Sequence, residues 1–487
     1  MPYTFPSYPP SASPELLEEL KQVALDWAFA HGLVMRAPIE PQTGLPPAGQ
    51  VINAPFALLP SPFPKHCFEE AIELQPAMNQ LLHTVSEDHE FLQEIMESLS
   101  NVDDFMKNLY DIFLKVKGEG FSQTVSLGIH RSDYLLHAVG EEKPIIQQVE
   151  FNTIASSFGS LTGLTGQLHR YLVNHIQHFH PEIDASLYTR ESLPESKSFT
   201  GIAKGLAQAH EIYGVQDAVI LFVVQPNERN IFDQRWIEYN LLNNHGVRVV
   251  RKTLSEVAEQ VTLDDKRNLI IDGKRISVTY FRSGYGPDDH PSSKEWDARL
   301  LIERSRAIKC PTIAYQLVGA KKVQQVLAKP GLLERFVQDK KVAERIRRSF
   351  AGLYPLDATP EGRAAAEMAL SDPDRFVMKP QREGGGNNIY GQDIIDALKQ
   401  MSVEQQSAYI LMDLIVPPTV ENLVVRQGQL QNGTFVSELG VYGIWISDGS
   451  KVLVNENAGH LLRTKLSDTK EGGVATGYAV IDSPLLV

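Results

Sequence analysis

Hydrophobic residues recur at helical spacing near the start of the chain. Apolar side chains three or four positions apart share one helix face, so the spacing predicts a first helix. Ser13 and Pro14 are typical of a helix start, and Gly32 is typical of a helix end. The apolar positions are Leu16, Leu17, Leu20, Val23, Ala24 and Trp27. Further along, residues 38–64 are proline-rich and predict a loop, whereas residues 66–117 and 159–180 show helical patterns.

The middle of the chain alternates between strands and helices. Residues 218–224 are continuously apolar, as expected of a strand covered on both faces. An amphipathic stretch over residues 231–244 ends at Gly246, and residues 247–250 form another short strand. This order predicts a βαβ unit with a parallel sheet. A hairpin over residues 270–282 and a helix over residues 295–308, stopped by Pro311, are expected next.

The last third of the chain changes to short strands, some of them in apparent hairpins. They are expected at residues 375–380, 409–415, 434–446 and 451–455. Earlier strands are expected at residues 125–129 and 145–152. The pattern predicts a mixed α/β and α+β protein with domains at 1–216, 217–317 and 318–487, the last mostly antiparallel.

Composition narrows the class of protein. The longest purely apolar run, residues 218–224, is far shorter than the roughly 20 residues of a membrane-spanning helix. A formal charge of −14 makes a nucleic-acid partner a poor expectation, because a phosphate backbone needs a basic surface. Two cysteines, Cys67 and Cys310, exclude a disulfide framework and favour a reducing, cytoplasmic location. Both are expected to be packing residues.

The strongest chemical motif runs from Lys379 to Tyr390, where a strand delivers a lysine into a triple-glycine turn, Gly384, Gly385 and Gly386. Glycines let backbone amides approach an anion, and the lysine supplies a positive charge for phosphate oxygens. Three glycines alone would fit a flexible hairpin tip, but the flanking charged and amide residues favour a binding loop. The motif is not a Walker loop, because no Gly-Lys-Ser/Thr follows.

A second motif offers oxygen ligands. Glu150 and Asn152 lie two residues apart on a predicted strand and therefore share one face. With Glu383, beside the glycines, they would provide the oxygen donors that Mg²⁺ prefers. Taken alone, the pair also fits an ordinary polar strand face.

Two further segments have both a functional and a plain structural interpretation. Residues 227–235 follow the buried strand 218–224, where ligands bind in open α/β sheets, although Asn230 is also suited to cap the following helix. Residues 460–465 and 471–477 combine cations with a glycine-rich segment. They predict a mobile anion-binding lid, or alternatively a basic strand and a turn.

Two other clusters are set aside. The spacing of His175, His178 and His180 resembles that of metal ligands, but no acidic or cysteine partner repeats nearby in sequence. A surface helix end is the favoured interpretation. The basic residues between 340 and 348 lack interleaved aromatic residues and are expected to form a solvated helix face.

Six collinear blocks of this sequence together resemble the eukaryotic-type glutathione synthetase family, over residues 15–487. The blocks are residues 150–154, 228–235, 280–285, 321–325, 379–391 and 461–465. The resemblance implies an ATP-grasp fold with an inserted parallel-sheet substrate-binding domain and a glycine-rich lid. It also implies a homodimer that joins γ-glutamylcysteine to glycine with ATP and Mg²⁺.

The family pattern assigns roles to matching positions. Metal ligands would be Glu150, Asn152 and Glu383. The nucleotide would be bound by Lys321, Lys379, Gly384, Gly385, Gly386, Asn388, Tyr390, Met412, Ile415, Glu438 and Lys465. The dipeptide would contact Arg131, Ser157, Glu228, Asn230, Gln234, Arg282 and Tyr285, and the glycine end would contact Arg463, Val474 and Ala475.

Three segments depart from the family pattern. Ala155 stands where the family has a serine, and residues 412–415 read Met-Asp-Leu-Ile instead of Met-Glu-Lys-Ile. Thr476 replaces an alanine in the lid, and its bulk bears on which acceptor amino acid fits.

The resemblance implies an acyl-phosphate mechanism. ATP would convert the cysteinyl carboxylate to an acyl phosphate, which the glycine amine would attack. Lys321, Lys379 and Mg²⁺ would neutralise the phosphates, and Arg131 and Arg463 would stabilise the developing charge. Two alternatives remain, a ligase for another small amino acid such as β-alanine or serine, and a catalytically dead nucleotide-binding regulatory module.

Overall fold

The computed structural model describes residues 3–40, 43–44, 47, 49–140, 142–383 and 386–487. The longer helices are α1 Pro14–His31, α2 Lys65–Glu87, α3 His89–Ser100, α4 Asp104–Glu119, α5 Gly159–Phe179, α6 Ser198–Tyr213, α7 Ile231–His245, α9 Ser293–Arg304, α13 Lys340–Ser349, α14 Pro360–Ser371 and α15 Gln392–Gln400. Shorter helices are α8 Leu254–Gln260, α10 Ile313–Val318, α11 Lys321–Leu327, α12 Leu333–Phe336 and α16 Val403–Gln406.

The strands in the first two thirds are β1 Val34–Arg36, β2 Val51–Asn53, β3 Phe56–Ala57, β4 Ser61–Phe63, β5 Val125–His137, β6 Ile145–Asn152, β7 Val219–Val223, β8 Val249–Lys252, β9 Thr262–Leu263, β10 Leu269–Ile271, β11 Lys274–Phe281 and β12 Ile308–Cys310. Those of the last third are β13 Leu353–Pro355, β14 Phe376–Pro380, β15 Ile389–Tyr390, β16 Tyr409–Asp413, β17 Val420–Arg426, β18 Gln429–Asp448, β19 Lys451–Leu466, β20 Ala479–Asp482 and β21 Pro484–Leu486. The mixed α/β class is confirmed.

The first helix is built as its sequence predicts. The Ser13 side chain accepts a hydrogen bond from the Leu16 amide, and Pro14 occupies the first helical position. Gly32 ends the helix with φ of +74°, a conformation that favours glycine. Its buried face consists of Leu16, Leu20, Ala24 and Ala28.

The central α/β unit is also confirmed. Strand β7 pairs in parallel with β8 and with β11, and α7 connects β7 to β8. Strands β10 and β11 form the expected antiparallel hairpin.

One expectation in this unit is wrong. The helix predicted over 295–308 ends at Arg304, and residues 308–310 form β12, parallel to β11. Ser305 has extended backbone angles, and its hydroxyl donates to the Ile302 carbonyl, which offers the chain an alternative to another helical turn. Pro311 therefore does not stop the helix.

The proline-rich segment is more ordered than a loop. Strands β2, β3 and β4 lie between residues 51 and 63, and β3 joins the largest sheet. Within this segment, residues 41–42, 45–46 and 48 lie outside the described residues.

The largest sheet has the strand order β17-β3-β20-β19-β18-β5-β6, and most of its neighbouring strands are antiparallel. Strands β5, β18 and β19 are much longer than their sequence patterns predict. A smaller antiparallel sheet has the order β13-β16-β14-β15. The antiparallel character expected for the last third is thereby confirmed, and the candidate site lies where both sheets contribute residues.

Two sequence-based expectations concern the core and the membrane. Cys67 and Cys310 are both buried free thiols, as expected of packing residues. Among the helices of the described residues, none is both long enough and apolar enough to cross a bilayer.

Candidate functional site

A cavity of about 320 Å³ lies between the two antiparallel sheets. Such a volume is at the lower end of the range for small-molecule sites. Its charged lining comes from several strands and loops that are distant in sequence. The charged lining residues are Arg131, Glu150, Lys321, Lys379, Arg382, Glu383, Glu438, Arg463 and Glu471.

Strand register places the polar residues on one face of the large sheet. In the pairing of β5 with β6, Arg131 is opposite Asn152 and Asp133 is opposite Glu150. In the pairing of β18 with β19, Glu438 is opposite Arg463. Because side chains of paired residues point to the same face, four strands build one charged surface.

The three expected metal ligands lie around this cavity. The Lys321 ammonium lies 3.3 Å from Glu150 Oε2 and 3.5 Å from Glu383 Oε1, so the two carboxylates share one lysine. Asn152 uses its amide nitrogen to donate to Asp133, at 2.9 Å, which leaves the oxygen for a cation. These oxygen donors fit a hard divalent cation such as Mg²⁺.

The two carboxylates differ in their electrostatic surroundings. Burial raises the pKa of Glu150, but Lys321, Lys379 and nearby arginines outweigh burial and lower the pKa to about 2. Burial and the neighbouring Glu150 charge raise the pKa of Glu383 to about 7, against the opposing effect of Lys321. Glu150 is therefore the permanent negative charge of the pair, and a bound cation would favour ionisation of Glu383.

The two expected phosphate-binding lysines are held differently. Burial lowers the pKa of Lys321, but Glu383 and Glu150 outweigh burial and raise the pKa to about 12. Lys379 donates to the Val149 carbonyl at 3.0 Å, and burial lowers its pKa. Lys321 also donates to the Arg382 carbonyl at 2.7 Å. Lys321 thus lies beside two carboxylates and a carbonyl, whereas Lys379 contacts only a carbonyl among the hydrogen bonds and ion pairs of the described residues.

A buried carboxylate that sequence reasoning missed organises the arginines. Asp133 is fully buried and accepts from Arg131 Nε at 2.6 Å and Arg131 Nη2 at 2.7 Å. It also accepts from Arg463 Nη2 at 3.0 Å. Arg463 pairs with Glu438 as well. One carboxylate thus fixes both candidate charge-stabilising arginines and the amide of Asn152.

Gly440 makes room for this arrangement. It lies opposite Asp133 on β18. A Cβ atom at this position would lie 2.8 Å from Asp133 Oδ1 and 2.9 Å from Arg131 Cδ. Any larger residue would therefore displace the Arg131–Asp133 pair.

The glycine-rich loop contacts the lid segment. The carboxylate of Glu471 accepts from the backbone amides of Gly386, at 2.8 Å, and Asn388, at 3.2 Å. Gly386 has φ of +80°. Gly384 and Gly385 lie outside the described residues. A carboxylate bound by loop amides shows that this loop can bind anionic oxygen.

A second, less polar cavity of about 320 Å³ adjoins the first and shares Lys379, Asn388 and Glu438 with it. The expected nucleotide-pocket residues that line it are Lys379, Asn388, Tyr390, Met412, Ile415, Glu438 and Lys465. Asp413, one of the departures from the family pattern, lies 3.2 Å from Arg375 and accepts from the Tyr354 hydroxyl. Its charge is therefore satisfied within the protein.

The residues expected to bind the dipeptide separate into two groups. Arg131, Ser157 and Tyr285 line the charged cavity, as do Arg463, Val474 and Ala475 from the group assigned to the glycine end. Glu228, Asn230, Gln234 and Arg282 do not line it.

These four residues form polar contacts next to the cavity. Glu228 accepts from the Asn230 amide at 2.7 Å and from Gln234 Nε2 at 3.1 Å. Arg282 donates to the Ser157 hydroxyl at 2.7 Å, which links this group to the cavity wall. Asn230 does not cap α7 with its side chain, and its buried oxygen lacks a hydrogen-bond partner. The capping interpretation therefore fails for Asn230.

The loop that carries Ser157 has an unusual backbone. Ala155 and Phe158 adopt φ of +53° and +70°, in the left-handed region that non-glycine residues rarely occupy. The Asp233 carboxylate accepts from the Phe158 amide at 2.8 Å and from the Ser160 amide at 2.7 Å, and so stabilises the turn. Such strain often occurs at functional sites.

The lid segment closes the cavity on one side. Val474, Ala475 and Thr476 line it, and the Thr476 hydroxyl donates to the Gly473 carbonyl at 3.1 Å. Residues 471–478 contain turns rather than helix or strand, and Arg463 and Lys465 precede them on β19.

Comparison with known proteins identifies the family of this chain. The fold is of the ATP-grasp type, with a cavity of about 320 Å³ between antiparallel sheets. Residues 14–486 match the family model described as eukaryotic glutathione synthase, ATP binding domain. The chain belongs to the eukaryotic glutathione synthase family.

Individual relatives match over nearly their whole length. The chain is 43% identical to a glutathione synthetase of Xenopus laevis over 476 residues, 97% of this chain and 98% of the relative. It is 42% identical to a glutathione synthetase of Homo sapiens, covering 96% of each chain. A solved structure of a glutathione synthetase-like effector from Globodera pallida, in its apo form, aligns with a TM-score of 0.77 at 26% identity, over 98% of each chain.

Proposed function

We propose that this protein is a glutathione synthetase, an ATP-dependent ligase that joins γ-glutamylcysteine to glycine and releases ADP and phosphate. The family match over residues 14–486 supports this activity. The observation that carries it is the convergence of Glu150, Glu383 and Lys321 in the cavity that also contains Arg131 and Arg463. A metal-triphosphate and a carboxylate substrate both need such groups.

The reaction proceeds through an acyl phosphate. An oxygen of the cysteinyl carboxylate attacks the γ-phosphorus of ATP, and the bond to ADP breaks. The glycine amine then attacks the acyl carbon, a proton leaves the nitrogen, and phosphate departs with its bonding electrons. Both steps place negative charge on oxygens, which cationic groups in the cavity stabilise.

The cavity residues divide this work. Glu150, Asn152 and Glu383 would hold Mg²⁺, which neutralises phosphate charge when bound. Lys321 and Lys379 contact the phosphates, together with backbone amides of the glycine-rich loop such as that of Gly386. Arg131 and Arg463 stabilise the charge of the acyl phosphate and the tetrahedral intermediate, since a guanidinium binds carboxylate and phosphate oxygens in a bidentate fashion.

Binding roles follow the two cavities. The less polar cavity takes the adenine, against Met412 and Ile415. Ser157 and Tyr285 contact the dipeptide from the charged cavity, and Arg282 supports Ser157. The remaining contacts implied by family resemblance, from Glu228, Asn230 and Gln234, require a shift of these side chains or of the dipeptide towards them.

The domain organisation, the oligomeric state and the cellular location are proposed from the family resemblance and the sequence. Residues 217–317 form the substrate-binding domain, flanked by segments 1–216 and 318–487 of the ATP-grasp frame. The protein acts as a homodimer. Two buried free cysteines support a reducing, cytoplasmic location.

The test is phosphate release measured with ATP, Mg²⁺ and each amino-acid substrate alone and together. Release that requires both γ-glutamylcysteine and glycine supports the proposal, and no release with any combination supports a nucleotide-binding module instead. A parallel screen with β-alanine and serine tests the acceptor. Faster turnover with either acceptor would mean that this amino acid, and not glycine, is the substrate, and Thr476→Ala should then alter the preference between the two.

A further inference from the structure

A cluster of metal-ligating side chains lies outside the lining of the charged cavity, where helix α1 meets the end of helix α5. Glu19, on α1, brings its Oε1 atom to 3.2 Å from His175 Nε2 and 3.3 Å from His180 Nε2. The three ligand atoms all lie within 4.8 Å of one another. Both histidine side chains are about 15% exposed, at 15% and 16%, so the cluster is accessible yet partly shielded.

The distances match those expected around a bound transition metal. Zinc binds histidine nitrogen and carboxylate oxygen at roughly 2.0–2.2 Å, so two ligands of a tetrahedral site are about 3.4 Å apart. The two Glu19–histidine distances, 3.2 and 3.3 Å, already equal that edge within 0.2 Å. Only the distance between the two imidazoles must adjust, through side-chain rotation.

Helix geometry explains why the sequence alone does not reveal the cluster. Residues five apart point to different sides of an α-helix, so His175 and His180 should diverge. However, α5 ends at Phe179, and His180 leaves helical geometry with φ of −130° and ψ of 62°. The chain turn directs its imidazole back towards Glu19, an acidic partner 156 residues away from His175 in sequence.

A second carboxylate orients one ligand. Glu182 Oε1 lies 3.4 Å from His180 Nδ1. In the metal-free protein His180 Nε2 hydrogen-bonds the Glu19 carboxylate and so carries a proton. When a cation takes the place of that proton, Glu182 can hold the other proton on Nδ1 and leave the Nε2 lone pair for the metal, which is the usual arrangement of a metal-binding histidine. The Glu19 carboxylate oxygen lies against both imidazole nitrogens, so one cation could replace both of these hydrogen bonds.

We propose that Glu19, His175 and His180 form a surface site for a late first-row divalent cation, with Zn²⁺ as the reference ion. Two imidazoles and one carboxylate leave the fourth tetrahedral position for water. Imidazole favours Zn²⁺, Ni²⁺ and Cu²⁺ over Mg²⁺, so this site is chemically distinct from the all-oxygen set in the cavity. A bound ion would link the N-terminal helix to α5.

The experiment measures Zn²⁺ binding to metal-stripped full-length protein by calorimetry. Millimolar Mg²⁺ is present throughout, so that the oxygen ligands of the charged cavity are already occupied. We expect one Zn²⁺ per chain, with at least tenfold weaker binding in His175→Gln and in His180→Gln. His178→Gln is the matched control, because His178 lies on the same helix but hydrogen-bonds the Asn174 carbonyl and is outside the cluster. Glu383→Gln should retain the binding event.

Two further measurements, of thermal stability and of the metal ligands, test the same site independently. Zn²⁺ should raise the Tm of the wild type and of His178→Gln, but not of His175→Gln. A Cu²⁺ electron paramagnetic resonance spectrum of the wild type should show two coordinated nitrogens. The proposal is overturned if Zn²⁺ affinity is unchanged in both cluster variants, or if it falls equally in His178→Gln, which would indicate non-specific binding. Turnover of ATP tests the proposed enzymatic function separately.

Discussion

Substitution of Asp133 by asparagine tests how the two cavity arginines are positioned. Asp133 Oδ2 accepts from Arg131, Asn152 and Arg463, and Oδ1 accepts from Arg131 Nε. An asparagine has one acceptor oxygen and one amide group that only donates. Whichever way the amide is turned, at least one hydrogen bond from a guanidinium is lost, and the negative charge disappears.

The size of the effect follows from these contacts. A hydrogen bond to a charged group contributes about 1.5–3 kcal/mol, so loss of one and weakening of the others costs about 3 kcal/mol. Each 1.36 kcal/mol of lost transition-state stabilisation is tenfold in rate. We therefore expect kcat/KM for γ-glutamylcysteine to fall by about a hundredfold in Asp133→Asn. Nucleotide affinity measured without Mg²⁺ should change little, because Asp133 reaches the proposed metal site through Asn152 but contacts neither Lys321 nor Lys379.

A second buried aspartate provides the control. Asp482 is fully buried on β20 of the same sheet and accepts hydrogen bonds from Ser61, Thr464 and the Ser483 amide. Among the hydrogen bonds of the described residues, none joins it to an arginine. Asp482→Asn should lower the Tm and leave kcat/KM within about twofold. The assay is steady-state ADP release, with nucleotide Kd measured separately. If Asp133→Asn behaves like Asp482→Asn, or weakens nucleotide and dipeptide binding equally, the positioning role of Asp133 is refuted.

Three other variants probe the metal ligands, the lid and a buried acid. Glu383→Gln should fold normally but need at least tenfold more Mg²⁺ for half-maximal turnover, since it loses a charged oxygen ligand; normal turnover at limiting Mg²⁺ contradicts that role. Glu471→Gln should bind nucleotide several-fold more tightly, because a neutral amide competes less well for the amides of Gly386 and Asn388; an unchanged Kd rejects this competition. Burial raises the pKa of Asp482 to about 7, above its ordinary value of about 3.9, so its contribution to stability is greatest at low pH and is lost as pH rises towards 7. The free energy of unfolding of Asp482→Asn, measured in urea, should therefore improve relative to wild type by about 3 kcal/mol between pH 5 and pH 8, and a constant difference would contradict a protonated Asp482.

Much of the fold follows from local patterns, and the exceptions have specific causes. The helix from Pro14 to His31 and the parallel pair β7–β8 were predictable because capping residues and apolar runs mark them. The length of β5 was not predictable, since Arg131, Ser132 and Asp133 interrupt its apolar pattern. These residues are buried because β5 lies inside the large sheet, between β18 and β6.

The residues of the candidate site also fall into two groups, those that the sequence indicates and those that only the structure reveals. Lys379 and Glu383 flank a glycine turn, and this local composition indicates their chemistry. Asp133 carries no such signal, because an aspartate in a polar strand segment also fits a solvated sheet face. Its importance follows from register, which places it opposite Glu150 on one side and Gly440 on the other. The sequence feature that comes closest to indicating Asp133 is the glycine at position 440, which lies directly across from the Arg131–Asp133 pair.

The charge pattern of the cavity links cation binding to nucleotide binding. Lys321 is held by Glu150 and Glu383, the same carboxylates proposed to hold Mg²⁺. A divalent cation on these oxygens would replace the lysine as their partner, and the released ammonium would then be available to phosphate. Lys379 needs no such release, since no carboxylate pairs with it among the ion pairs of the described residues. A bound cation would therefore favour phosphate in two ways, by its own charge and by releasing Lys321 from the two carboxylates. By thermodynamic linkage, the nucleotide must strengthen cation binding by the same factor.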